Sequence, residues 1–123
     1  MKNKEIKVIF ESEGKEDYLN LNKVVSDEIS RGIKSSFNIT ILRSIEQKVE
    51  LLKLNPEVGR CVKKNLIPKD YIDKGITNLW ILNLSNYWRL LYTIKTNEIY
   101  IICVLLEFGD HNKYNQIFGF KKK

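Results

Sequence analysis

The sequence predicts an α+β domain: an N-terminal strand, a hairpin of two helices packed on an antiparallel β-meander, and a short C-terminal helix. Three observations lead to this prediction. β-branched and aromatic residues open the chain, segments with apolar residues at helical spacing follow, and apolar, aromatic-rich runs fill most of the last third. Because the 123 residues contain no repeat or linker, a single domain spanning residues 1–123 is expected.

The N-terminal half changes from a strand pattern to a helical one. Glu5–Glu11 places β-branched and aromatic side chains between charges, which is typical of a strand. From Lys15 to a stop at Gly32 the apolar positions have helical spacing: Tyr18, Leu21, Val25 and Ile29. Ser35 or Ser36 is expected to cap a second helix. Asn55-Pro56 should end that helix, because the residue before a proline is pushed out of the helical region.

The C-terminal half predicts three consecutive strands. The apolar runs are Leu79–Leu84, Tyr87–Lys95 and Glu98–Phe108. Ser85-Asn86 and Thr96-Asn97 stand between them as two-residue hairpin turns. Between the helices and these strands, the stretch from Glu57 to Thr77 is interpreted as a basic loop with one short helix or extended piece. Two readings of this loop stay open: a solvated connector, or a surface in which Lys63 and Lys64 contact phosphate.

The predicted turns imply a register for the meander. The face that receives the helices should combine Trp88, Leu90, Tyr92 and Ile94 with Ile81, Ile101, Cys103 and Leu105. The opposite face should carry Arg89, Leu91 and Thr93 beside Trp80, Leu82, Tyr100, Ile102 and Val104. A solvated face would alternate to polar residues, and this one does not. We therefore expect it to be covered, either by the segment from Asp110 onward or by another protein.

Charge and composition limit the function classes. The formal charge is +6, and residues 41–123 hold the whole excess, with fourteen basic and eight acidic residues. This favours attraction to nucleic acid, or equally to an acidic protein. The apolar run Ile99–Leu106 is far shorter than the roughly 20 residues that span a bilayer, so no membrane association is expected. Two isolated cysteines, Cys61 and Cys103, indicate a reducing, cytoplasmic location rather than a disulfide framework.

Three polar residues near the C-terminus form a candidate anion site. Arg89 lies within an apolar strand, so it should be paired or sit at an open end; a salt bridge to Glu107 or Asp110 is the simpler alternative. His111 and Tyr114 follow three residues apart, on one face of a short helix if Asp110 caps it. A fixed cation for phosphate, a group that transfers protons near neutral pH and a phenol are suited to cleaving RNA without metal. One histidine and no paired cysteines make a zinc site improbable.

These residues resemble motifs of the RelE/ParE toxin superfamily. Tyr87-Trp88-Arg89-Leu90-Leu91-Tyr92 looks like the aromatic-Arg-Leu-x-Tyr strand of that family, and His111 to Tyr114 looks like its closing His/Arg-x-x-Tyr motif. The order of elements, over most of the chain, is also similar. The chain departs from the family at Trp80 and Leu82, where some members have basic residues in the first part of the sheet.

The resemblance implies the toxin of a type II toxin–antitoxin pair, a metal-independent and cofactor-independent endoribonuclease that cuts mRNA on the ribosome. Its partners would be a cognate antitoxin, in a hetero-oligomer, together with the ribosome and mRNA. Arg89 would stabilise the transition-state phosphate, and His111 would act as acid or base. Tyr114 would position the RNA or donate a proton. The RNA backbone would be held by basic residues at Lys63, Lys64, Lys113, Lys121, Lys122 and Lys123. Two alternatives stay open: a ParE-like inhibitor of DNA gyrase that does not cut RNA, and a catalytically silent antitoxin-binding homologue.

Overall fold

One mixed sheet organises the computed structural model, which describes residues 4–119. Within that range its five strands lie in the order β1-β5-β4-β3-β2. Their bounds are Glu5–Phe10 for β1, Arg60–Cys61 for β2, Trp80–Asn83 for β3, Arg89–Thr96 for β4 and Tyr100–Gly109 for β5. β1 runs parallel to β5, and every other pairing is antiparallel. The α+β class, the N-terminal strand and the meander β3-β4-β5 are thereby confirmed.

The helices begin and end close to the residues that the sequence indicated. Their bounds are Ser12–Ser30 for α1, Phe37–Leu54 for α2, Lys69–Asp73 for α3 and His111–Phe118 for α4. Ser36 caps α2, because its hydroxyl oxygen accepts a hydrogen bond from the Ile39 N–H at 3.0 Å. Asn55 ends the same helix in an extended conformation. No helix within residues 4–119 is long and apolar enough to cross a membrane.

The α1–α2 hairpin covers one face of the sheet. Ile41, Ile45 and Leu52 of α2 are fully buried against it. The sheet residues that meet them include Leu90, Tyr92, Cys103 and Leu105, which confirms those four positions of the predicted helix-facing set. Tyr92 also fastens the chain after α2, since its hydroxyl donates to the Pro56 carbonyl at 2.7 Å and accepts from the Gly59 N–H at 3.1 Å.

The predicted orientation of β3 is wrong by one residue. Trp80 pairs with Tyr92 and Leu82 with Leu90, so both face the helices, whereas Ile81 pairs with Leu91 on the opposite face. The cause is the connection from β3 to β4, which spans Leu84–Trp88 and contains a 3₁₀ turn instead of the two-residue turn expected at Ser85-Asn86. Because side chains alternate along a strand, a shift of one residue exchanges its two faces.

Strand β5 keeps its predicted faces up to a β-bulge. The turn expected at Thr96-Asn97 lies instead at residues 97–99, but β5 still places Cys103 and Leu105 toward the helices. The register then shifts between the pairs Tyr92↔Leu105 and Leu91↔Glu107, which leaves Leu106 as the extra residue. A bulge of this kind re-aims the side chains that follow it. The bulge places Phe108 in the helix-facing core, like Leu105, although strict alternation would put it on the opposite face. Glu107 lies opposite Leu91.

The second face of the sheet is covered by the chain itself. The segment between β2 and β3 buries Ile67, Tyr71, Ile76 and Leu79 on this face. Helix α4 packs beside it through Tyr114, Ile117 and Phe118, which confirms that the segment from Asp110 folds back. The reading of residues 57–77 as a solvated connector is wrong, because apolar side chains of this segment are buried against the sheet. Their spacing in the sequence did not indicate that they share one buried side.

Candidate functional site

One end of the sheet brings the candidate residues together. Arg89 opens β4, where it pairs with Asn83 of β3 and Gly109 of β5. His111 follows Gly109 by two residues and begins α4, and Tyr114 lies one turn further along that helix. Asp110 caps α4 as predicted, because its carboxylate accepts the Lys113 N–H at 3.0 Å. This cap sets the direction in which α4 leaves the sheet and hence where His111 and Tyr114 lie.

Arg89 is a half-buried cation without an anionic partner among residues 4–119. Its guanidinium carbon lies 4.5 Å from the centroid of the Tyr114 ring. Its Nε atom is buried and forms no hydrogen bond within residues 4–119, and no carboxylate there lies within 4.0 Å of it. The simpler alternative, a salt bridge to Glu107 or Asp110, is therefore wrong. A buried donor left unsatisfied costs about 1–3 kcal/mol, so Arg89 is held here at a cost to stability.

The Tyr114 ring is a cation–π partner of the Arg89 guanidinium. A cation over an aromatic face is stabilised by the ring quadrupole, by about 0.5–1 kcal/mol at exposed sites and more when desolvated. Stacking also orients the planar fork of an arginine, whose two outer N–H edges match two oxygens of a phosphate. Tyr114 in turn packs on Phe118, with ring centroids 4.7 Å apart. The predicted partnership of Arg89 and Tyr114 is thus a direct contact in the structure.

His111 is exposed at the first position of α4. Its Nε2 atom lies 3.2 Å from Nδ2 of Asn115, one helical turn later. In the neutral ring, Nε2 can accept from that amide, which leaves the proton on Nδ1. Exposure leaves the ring open to a ligand that approaches the end of the sheet. Its backbone neighbours, Asp110 and Gly109, place it beside the strand pair that carries Arg89.

Lys113 is the predicted RNA-binding lysine that the structure places near Arg89, since both line one small cavity, but its ammonium is engaged elsewhere. Lys113 lies between two carboxylates of α1, with its Nζ 3.1 Å from Glu13 and 3.2 Å from Asp17. Burial alone would lower the pKa of Lys113, but the hydrogen bonds to both carboxylates outweigh it and raise the pKa. Lys113 therefore ties α4 to α1.

The remaining predicted lysines fall elsewhere. Lys63 and Lys64 are exposed, but they follow β2 near the Trp80 end of β3. Arg89 pairs with Asn83, at the other end of that strand, at least about 10 Å away at 3.3 Å per residue. Lys121, Lys122 and Lys123 lie outside the described residues.

A groove beside Arg89 contains residues to which the sequence reasoning gave no role in the site. It has a volume of about 460 Å³ and is lined by Asn83, Leu84, Asn86, Tyr87 and Arg89. Tyr87 is 88% exposed, and both Asn86 and Tyr87 have left-handed backbone conformations, with φ of 58° and 65°. An asparagine adopts this conformation readily, so Asn86 was a weak sequence signal of a left-handed backbone in this loop. For Tyr87 no sequence signal exists, because a tyrosine rarely adopts positive φ.

A second polar cluster, formed by Tyr71 and Glu107, lies on the sheet face opposite the α1–α2 hairpin. The Tyr71 hydroxyl donates a hydrogen bond to the Glu107 carboxylate. Burial raises the pKa of Glu107, against the opposing effect of that bond, and burial together with the same carboxylate raises the pKa of Tyr71. A cavity of about 360 Å³ adjoins this pair. The pair fastens the α3 segment to β5, since Tyr71 is buried in the second core.

The geometry provides an anion-binding cation, a titratable group and a stacked phenol within one end of the sheet. Within residues 4–119, no group of three or more His, Cys, Asp or Glu residues is placed to hold a metal ion. Comparison of the chain with protein-family models, with curated proteins and with solved structures found no match.

Proposed function

We propose that this protein is the toxin of a type II toxin–antitoxin pair and a metal-independent, ribosome-dependent mRNA endoribonuclease that inhibits translation. The main observation in its support is the Arg89 guanidinium, which is half-buried, lies over the Tyr114 ring and has no carboxylate partner in the part of the chain that the structure describes. His111 begins the helix that supplies the stacking ring. The order of elements also matches what the RelE/ParE resemblance implies. The proposal includes cytoplasmic action and a cognate antitoxin that holds the toxin silent in a hetero-oligomer.

The chemistry assigns one role to each residue. The 2′-oxygen of a ribose attacks the adjacent phosphorus, the bond to the 5′-oxygen breaks, and a 2′,3′-cyclic phosphate and a 5′-hydroxyl result. The attacking hydroxyl loses a proton and the leaving oxygen gains one, so no other reactant is needed. Arg89 binds the phosphate oxygens, on which negative charge increases in the transition state. His111 transfers a proton. Tyr114 orients the guanidinium through the 4.5 Å stacking contact.

The test is induction of the chain alone in cells, followed by mapping of mRNA 5′ ends on ribosomes. We expect growth arrest with cleavage inside codons. Removing a preorganised charge from the transition state costs about 10²–10³ in rate, so Arg89→Ala should abolish cleavage. Loss of a general acid or base costs about 10²–10⁴, so His111→Ala should do the same. Arg60→Ala is the matched control, since Arg60 is an exposed strand arginine at the far edge of the sheet.

Two outcomes would contradict the proposal. Intact mRNA in arrested cells would exclude the nuclease. Unchanged toxicity in both Arg89→Ala and His111→Ala, with both variants folded, would remove these residues from the site. A short acidic or amphipathic reading frame beside the gene would support the toxin–antitoxin pair under either mechanism.

The second candidate is a binding protein without nuclease activity, either a ParE-like inhibitor of DNA gyrase or a silent antitoxin-binding homologue. The placement of the lysines favours it: Lys113 is held by Glu13 and Asp17, and Lys63 and Lys64 lie at the other end of the sheet. Trp80 and Leu82 face the helices, so β3 supplies no cation beside Arg89. Arrest with relaxed or broken plasmid DNA and intact mRNA would establish gyrase as the target.

A further inference from the structure

We propose that Tyr87 is a stacking platform for a base of single-stranded RNA, next to the phosphate bound by Arg89. This inference rests on the proposed function, since it assumes that RNA reaches the end of the sheet. It adds a residue that the sequence motifs leave without a role. The observations behind it are the exposure of Tyr87, the backbone that presents it, and its position beside an arginine that has no anionic partner among the described residues.

The backbone at Tyr87 is sterically unfavourable for a tyrosine. Asn86 and Tyr87 both lie in the left-handed region, with φ of 58° and 65°. Asparagine tolerates that region, whereas an aromatic residue adopts it only where the surrounding structure imposes it. Such conformations concentrate at ligand sites, where they preorganise a contact. Packing does not explain this one, because the Tyr87 side chain is 88% exposed.

The loop that carries Tyr87 is anchored on both sides. The Leu84 N–H donates to the Trp88 carbonyl at 2.7 Å and closes the loop. The Ser85 N–H donates to the hydroxyl of Ser44, a buried residue of α2, at 3.0 Å. Trp88 packs between the rings of Phe37 and Phe108, with centroids 5.5 and 6.3 Å away. The ring of Tyr87 is therefore presented to solvent from a fixed backbone.

Arg89 and Tyr87 line the same groove, about 460 Å³ in volume, together with Asn83 and Asn86. That volume lies within the range of small-ligand sites, so it accommodates one base with its sugar. Tyr87 and Arg89 are two positions apart in the chain, so their Cα atoms are at most about 7 Å apart. Exposed bases of single-stranded RNA stack on aromatic rings while basic side chains follow the phosphates, and amides hydrogen-bond to base edges. The guanidinium, the ring and the two amides match that chemistry.

The test measures binding of a 2′-fluoro RNA of about eight nucleotides, which lacks the attacking hydroxyl, to the full chain at low ionic strength. A second series of the same oligonucleotide has one abasic position, moved along the strand. Four variants are compared: Tyr87→Asn, Tyr87→Phe, Arg89→Gln and Leu54→Asn. Asparagine at position 87 suits the left-handed backbone, so this variant should melt no lower than the parent. Leu54, 82% exposed at the end of α2, is the control for loss of an exposed side chain.

We expect Tyr87→Asn to weaken binding about tenfold, within the range seen when a base-stacking ring is removed. Tyr87→Phe should bind like the parent because it retains the ring, and Leu54→Asn should have no effect. In the parent protein, an abasic site at one position of the oligonucleotide should weaken binding as much as Tyr87→Asn does. In the Tyr87→Asn variant, the same abasic site should cause no further loss of binding. Arg89→Gln should weaken every oligonucleotide alike.

Some results would refute the stacking role of Tyr87 and leave the proposed nuclease function intact. One is that Arg89→Gln weakens binding and Tyr87→Asn does not. Another is that Tyr87→Asn weakens binding of every abasic oligonucleotide as much as binding of the intact one. If the parent protein binds neither the oligonucleotide nor ribosome-bound mRNA, the inference and the proposed nuclease function are both refuted.

Discussion

Replacing Gly14 with alanine should destabilise this protein, although the same exchange stabilises most helices. In an exposed helix, alanine is better than glycine by about 1 kcal/mol. Gly14 is buried near the start of α1, where the helix crosses β5. A Cβ atom at this position would lie 2.6 Å from the Leu106 carbonyl oxygen and 2.9 Å from its carbon. Both atoms are backbone, in the residue of the β-bulge, so neither can rotate away.

The magnitude follows from these two opposing effects. Forcing extra atoms into a packed contact costs about 1–3 kcal/mol, against at most about 1 kcal/mol gained from helix propensity. Because both contacts are shorter than 3.0 Å and involve backbone atoms, the cost should lie in the upper part of its range, about 2–3 kcal/mol, which leaves a net loss of about 1–2 kcal/mol in the free energy of unfolding. The entropy of unfolding for a domain of this length is about 0.26 kcal/mol/K, from about 2.1 cal/mol/K per residue. The melting temperature should therefore fall by about 4–8 °C.

The assay is urea denaturation and thermal melting of Gly14→Ala beside a matched pair in the same helix. Ser26 is exposed in α1, so Ser26→Ala should be more stable than Ser26→Gly by about 1 kcal/mol. Opposite signs at positions 14 and 26 would show that contact with β5 determines the outcome. A Gly14→Ala variant as stable as the parent would refute the close approach of α1 to the bulge.

Two further predictions concern polar contacts. Burial raises the pKa of the Glu107 carboxyl in the folded state, so folding binds a proton there and this contribution to stability is lost as pH rises above the ordinary glutamate pKa of about 4.3. The stability of Glu107→Gln relative to the parent should consequently increase in urea denaturation as pH rises above about 4.3, with Glu98→Gln as an exposed control. A difference independent of pH would contradict the assignment. Ser44→Ala should lower stability by about 1 kcal/mol, because it leaves the Ser85 N–H without its acceptor. Amide exchange at Ser85 should accelerate in that variant, and an unchanged exchange rate would show that the hydrogen bond is absent.

Local features could be predicted because their causes are local. The Ser36 cap, the end of α2 at Asn55-Pro56 and the Asp110 cap depend on residues within one turn of each other. The helix-facing positions Cys103 and Leu105 follow from alternation within a single strand. Such inferences need no knowledge of the rest of the fold.

Other features depend on contacts between distant segments. The side on which Ile81 lies was predicted wrongly, because it depends on the length of the β3–β4 connection, which Ser44 and Trp88 hold in a five-residue form. The parallel pairing of β1 with β5 joins residues 95 positions apart, as in Glu5↔Tyr100. The candidate site divides in the same way: the sequence singled out Arg89, His111 and Tyr114, whereas Tyr87 emerged only from the loop geometry.

The sequence by itself determined the class of fold, the ends of the main helices and the residue types available for binding an anion, because composition, caps and periodicity act over a few residues. Only the tertiary structure decided the surroundings of Arg89. It placed Tyr114 against the guanidinium, paired the Lys113 ammonium with Glu13 and Asp17, and left Arg89 without a carboxylate within the described residues. The physical reason is that electrostatic interactions and burial depend on distances in space, and packing of the chain sets those distances.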